Sequence, residues 1–138
     1  MRIIDKIIIH CTATPFGRDV NAAEIDLWHR GRGWKAIGYH YLVKLDGTIE
    51  AGRPERQIGA HCRGQNARSI GIAYVGGIDA RGKCADTRTD AQKKSLLSLI
   101  TTLLDKYPQA RVFGHRDFSS KECPCFDATG EYYALARK

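Results

Sequence analysis

Three observations predict an α/β fold for this chain, a single domain over residues 1–138 with a central mixed β-sheet flanked by helices. Strand-like and helix-like segments alternate along the sequence. The first strand pattern, Ile7-Ile8-Ile9, is apolar without interruption, as expected of a strand covered on both faces. A length of 138 residues with 43% hydrophobic content suits one core and suggests no second module.

Taken in order, Lys6 to His10 is the first strand. Asn21-Ala22-Ala23-Glu24 reads as a capping box, with Val20 and Ile25 placed as a hydrophobic staple, and opens a helix that runs to about Arg30 and stops in Gly31-Arg32-Gly33. Tyr39 to Leu45 and Thr48 to Ala51 form a hairpin around Asp46-Gly47, whose glycine readily takes positive φ. Ser69 to Val75 is a third strand pattern, ended by Gly76-Gly77. Thr89-Asp90-Ala91-Gln92 caps the longest helix, with Leu96, Leu97, Ile100, Leu103 and Leu104 on one face and Pro108 beyond its end. Arg111 to Gly114 is a further short strand, and Ala128 to Arg137 a terminal helix.

Composition narrows the partners. No apolar stretch approaches the roughly 20 residues of a membrane span, and the start of the chain enters a strand at once without a signal-peptide core. A cytoplasmic protein is expected on that ground. The net charge of +7 suits nucleic acid, an anionic membrane face or an anionic cell-wall polymer. Lys and Arg are spread rather than clustered, and aromatics do not interleave with them, so nucleic acid is not expected. Five cysteines form an odd set, which argues against a disulfide scaffold; Cys11, Cys62, Cys84 and Cys125 read as reduced thiols.

The chemistry concentrates in His10, His115 and Cys123. His10 closes the isoleucine run, His115 follows Arg111-Val112-Phe113-Gly114, and Cys123 comes eight residues later. Three such ligands leave a fourth tetrahedral position for water, the arrangement of catalytic zinc. Pattern alone leaves this open, because a histidine at a strand end is also a common hydrogen-bonded core residue, and the spacing fits neither a zinc finger nor a His-Glu-x-x-His helix. Tyr39 alone reads as a sheet aromatic and Lys121 as a solvated loop lysine.

The surrounding segments decide between these readings. Ile8-Ile9-His10-Cys11-Thr12-Ala13-Thr14, Arg32-Gly33-Trp34 running to Gly38-Tyr39-His40-Tyr41, and Asp46-Gly47-Thr48 running to Gly52-Arg53 come first. Ile58-Gly59-Ala60-His61, Asn66, Ser69-Ile70-Gly71-Ile72, Val75-Gly76-Gly77, Gly114-His115-Arg116-Asp117 and Cys123-Pro124 with Phe126-Asp127 follow. Over roughly residues 3 to 127 this series resembles the type 2 N-acetylmuramoyl-L-alanine amidases, including small phage amidases and, more distantly, the peptidoglycan recognition proteins.

The resemblance implies a zinc enzyme that cuts the amide between N-acetylmuramic acid and L-alanine in peptidoglycan. It implies zinc on His10, His115 and Cys123, Tyr39 and Lys121 as non-ligand catalytic residues, and muramyl-peptide contacts from His61 and Asn66, with Trp34 and Arg63 lining the same groove. His29 and His40 then fall to packing. The expected setting is a phage or prophage endolysin, monomeric, held in the cytoplasm until release to the wall. A peptidoglycan-binding protein without catalysis and a regulator that binds a phage RNA polymerase are the alternatives. Cys125 departs from the family pattern, which usually has a small residue there, and its thiol could compete for the metal or oxidise.

Overall fold

The computed structural model describes residues 2–136. In chain order the elements are β1 (Lys6–Cys11), β2 (Thr14–Pro15), α1 (Ala22–Gly31), β3 (Tyr41–Val43) and β4 (Ile49–Ala51). Then come β5 (Ser69–Tyr74), β6 (Gly77–Ile78), α2 (Asp90–Lys106), β7 (Arg111–Gly114) and α3 (Ala128–Tyr132). Five strands make a mixed sheet of order β4-β3-β5-β1-β7, in which only the β3–β4 hairpin is antiparallel. The expected α/β class and helix-flanked mixed sheet are found.

Period-two alternation sorts the strands into two unlike faces. Ile7, Ile9 and Cys11 of β1 and Ile70, Ile72 and Tyr74 of β5 join Leu96, Ile100, Leu103 and Leu104 of α2 in one apolar cluster. Leu42, Ala73 and Val75 point the other way and pack with Val20, Ile25 and Ile37 around α1. With Ile7, Ile8 and Ile9 fully buried, β1 is covered on both faces. His10 shares its side of β1 with Ile8, so the chain's own parity turns it away from the α2 core.

The helix caps fold as their sequences predict. Asn21 accepts the Glu24 N–H at 2.9 Å while the Glu24 carboxylate accepts the Asn21 N–H at 3.2 Å. Thr89 and Gln92 repeat the device, and buried Gln92 also donates to the Val43 and Val75 carbonyls, tying α2 to two strands. Leu97 corrects the predicted apolar face, since it is 47% exposed. It stands about 100° round the helix from Leu96, outside the stripe that faces the sheet. The hairpin strands are shorter than expected, yet Gly52 and Arg53 still donate to the His40 and Tyr39 carbonyls beyond them. The terminal helix is also shorter: α3 gives way to a 3₁₀ turn at Tyr133–Ala136, and Arg137 lies outside the described residues. The small parallel pair β2–β6 was not foreseen, because two-residue strands carry no periodic signal.

The cysteines require a larger correction. Cys84 and Cys125 form a disulfide across 41 residues, and Cys11, Cys62 and Cys123 are free. An odd count excludes complete pairing, not one pair. Cys84, bridged antiparallel to Ile78 of β6, meets Cys125 on the loop before α3, a pairing across the sequence that no local pattern encodes. Nearby, the buried Arg88 guanidinium binds the carboxylates of Asp86 and Glu131 and lies 3.5 Å over the Phe126 ring. No helix among the described residues is long and apolar enough to cross a membrane.

Candidate metal centre and groove

β1 and β7 are parallel neighbours, so their carboxyl ends open at the same edge of the sheet, where α/β folds commonly hold ligands. His10 is the penultimate residue of β1, and His115 follows β7 directly in a 3₁₀ turn. Cys123 arrives on the next loop. That loop is anchored by the Arg116 N–H to the Cys123 carbonyl (2.7 Å), by the Tyr74 hydroxyl to the Pro124 carbonyl (2.7 Å) and by the disulfide at Cys125.

The structure brings the three expected ligands together. One donor atom each from His10, His115 and Cys123 lie within 4.8 Å of one another, and His10 Nδ1 is 3.9 Å from Cys123 Sγ. Bond lengths of about 2.0 Å to nitrogen and 2.3 Å to sulfur place tetrahedral zinc ligands roughly 3.5 Å apart, so a small closure fits the set to such an ion. The Cys11 N–H donates to Cys123 Sγ at 3.1 Å, a contact that favours thiolate. Cys125 does not join the set, its sulfur being committed to Cys84.

Electrostatics prepare the imidazoles. Burial first, and then the neighbouring His61, His115 and Lys121, push His10 well below the ordinary histidine range. Burial and Lys121 lower His115 as well. Both are therefore neutral near pH 7, the form that coordinates a metal. The Cys123 thiol is raised, chiefly by its hydrogen bond with the Cys11 side chain and then by burial; a cation bound beside it would favour the thiolate.

Tyr39 lies beside this set, its ring 5.2 Å from that of His10. Burial, followed by the nearby Cys123 and Cys11, raises its hydroxyl above the usual tyrosine range, so it remains a phenol and a donor. Lys121 is exposed and borders two connected hollows. One is a pit of about 210 Å³ that holds His10, Tyr39 and Cys123; the other is a groove of about 700 Å³. Trp34, His61, His115 and Lys121 line both.

All four residues expected to contact substrate line the groove, in different ways. Trp34 and Arg63 present exposed surface to it. Asn66 directs its side-chain oxygen inward, accepting the N–H groups of His61 and Cys62 at 2.9 and 3.0 Å. His61 has a partner on each ring nitrogen, His10 Nε2 at 2.9 Å and Ser69 Oγ at 3.3 Å. His29 accepts the Gly38 N–H and meets the Trp34 ring edge to face, while His40 accepts the Gly71 N–H and faces the Gln57 carbonyl, both packing roles. Burial is the main cause that lowers each of them to about 4.

Sequence reasoning missed the supports behind the ligands: the Cys11 N–H, Ser69, and Gly59 and Gly71 under the His61 ring. The available signal was a glycine inside a strand, at Gly71, which often marks a close approach. Phe118 and Ser119 of the groove wall carried no signal at all.

Residues 1–126 match the family described as N-acetylmuramoyl-L-alanine amidase. The endolysin of Escherichia phage T7 is 47% identical over 123 residues, which cover 89% of this chain and 82% of that protein. Among solved structures, the N-acetylmuramoyl-L-alanine amidase LysC from Clostridium intestinale URNW gives a TM-score of 0.81 at 34% identity, covering 97% of this chain and 86% of that one. Drosophila PGRP-LB gives a TM-score of 0.79 at 25% identity, covering 97% and 82% respectively.

Proposed function

On the premise that this chain belongs to the N-acetylmuramoyl-L-alanine amidase family, we propose that it is a zinc-dependent endolysin that releases L-alanine-linked peptides from N-acetylmuramic acid in peptidoglycan. Amidase activity follows from the family, and the T7 relative supports a phage lytic setting. The observation that carries zinc dependence is the donor set of His10, His115 and Cys123 within 4.8 Å. Bound there, zinc supplies a Lewis acid and a water of lowered pKa.

The residues of the chain supply the rest. His10, His115 and Cys123, which line the pit, would hold the ion. Tyr39, a phenol at neutral pH, moves a proton or orients the attacking water at its hydroxyl oxygen. The Lys121 ammonium, on the rim shared by pit and groove, meets the negative charge that develops on the carbonyl oxygen. Trp34 and Arg63 bind the glycopeptide along the groove.

A muramidase reading needs two carboxylates facing each other across the sugar. Two acids of the ligand loops have other work: Asp117 accepts the Gly114 N–H and the Thr129 hydroxyl, and Asp127 caps α3. Digestion of purified murein is therefore expected to raise free amino groups and no new reducing sugar ends, with activity lost to chelator and restored by zinc. New reducing ends without new amines would overturn the proposal.

A further inference from the structure

We propose that His61 is a positioning residue for the metal centre, fixing the tautomer and ring plane of His10 so that His10 Nδ1 turns a lone pair toward His115 and Cys123. This rests on the metal reading of the site proposed above. It starts from one buried contact, His10 Nε2 to His61 Nδ1 at 2.9 Å. Between two neutral imidazoles one nitrogen donates and the other accepts, which leaves two proton arrangements. If His61 Nδ1 carries the proton, the proton of His10 sits on Nδ1, aimed at Cys123 Sγ 3.9 Å away, and no lone pair faces the ion. In the other arrangement His10 Nε2 donates to His61 Nδ1, His61 Nε2 donates to Ser69 Oγ at 3.3 Å, and His10 Nδ1 is bare. Only this second arrangement makes His10 a ligand.

The seat of His61 is built for one orientation. A Cβ on Gly71 would stand 2.5 Å from His61 Cγ, and one on Gly59 2.7 Å from His61 Cδ2, so both positions must lack a side chain. The His61 and Cys62 N–H groups are clamped by Asn66. Behind them His40 is itself fixed, accepting the Gly71 N–H at 3.0 Å and meeting the Gln57 carbonyl at 2.8 Å. Metal-bound histidines ordinarily set their second nitrogen against a carboxylate, carbonyl or water. Here an imidazole takes that place, and both ring nitrogens of His61 are engaged.

Zinc affinity of the full chain, measured by competition with a chromogenic chelator, tests this without reference to turnover. His61→Phe is expected to weaken zinc binding by about 10- to 100-fold with an unchanged circular dichroism spectrum. His61→Asn, whose Oδ1 reaches the place of Nδ1, is expected to recover affinity to within about threefold of the parent, a rescue that lost packing alone would not give. A Phe variant that binds as tightly as the parent, or an Asn variant no better than Phe, overturns the inference. Should the Phe variant fail to fold, long-range ¹⁵N–¹H correlation on the unsubstituted zinc-loaded protein decides. The expectation is metal on His10 Nδ1 and a proton on Nε2; metal on Nε2 overturns it. A parent chain that takes up no zinc overturns the metal reading itself, whereas normal uptake with an unaffected Phe variant removes this inference alone.

Discussion

The two faces of the sheet are built from the same strands and differ in almost everything else. Toward α2, alternate residues of β1 and β5 are Ile, Cys and Tyr, packed on a leucine and isoleucine stripe. Toward α1 the same strands present His10, Gly71 and Ala73, and buried histidines with a neighbouring tyrosine gather over them. One face fills its space with side chains. The other leaves space at glycine so that imidazoles can pack, each with hydrogen-bond partners. Stability and chemistry are thus divided by strand parity, and the division can be tested from either side.

The largest effect is expected at the ligands. Alanine at His10, His115 or Cys123 should reduce zinc from about one ion per chain to none and abolish amide cleavage, while alanine at Cys62 leaves both intact; metal analysis beside the murein assay checks this. Retention of zinc by the Cys123 variant would break the assignment. Next come Tyr39→Phe and Lys121→Met, expected to keep zinc and fold but lose activity by at least about two orders of magnitude. Near-normal turnover in either would remove that residue's role.

The opposite face should respond in stability alone. Ile100→Ala, buried under the sheet, is expected to cost about 2–5 kcal/mol in urea unfolding without changing zinc affinity. A large change in affinity would show that the faces are coupled. The disulfide sharpens the same comparison, because it joins a surface loop to the segment of Cys123. Denatured, unreduced protein should titrate three thiols, and five after reduction. Cys84→Ser should lower stability by about 2–4 kcal/mol. Five thiols without reduction would remove the bond.

Much was legible along the chain because its causes are local. The unbroken Ile7-Ile8-Ile9 announces a strand covered twice, and Asn21 with Glu24 and Thr89 with Gln92 announce helix starts through contacts three residues apart. The ligands, Tyr39 and Lys121 were legible only through the resemblance of whole segments, since single histidines and lysines carry no spacing rule. Tertiary structure alone decided what depends on residues far apart in sequence. Leu97 lies outside the packed stripe because the sheet contacts a narrower arc of α2 than the leucine pattern suggests. Cys84 meets Cys125 across 41 residues of sequence, a pairing set by the fold and not by local pattern. His61 lines the groove and also sets a ring nitrogen against His10, because Gly59 and Gly71 open a seat beneath its ring, an arrangement of three separate segments that no periodicity can express.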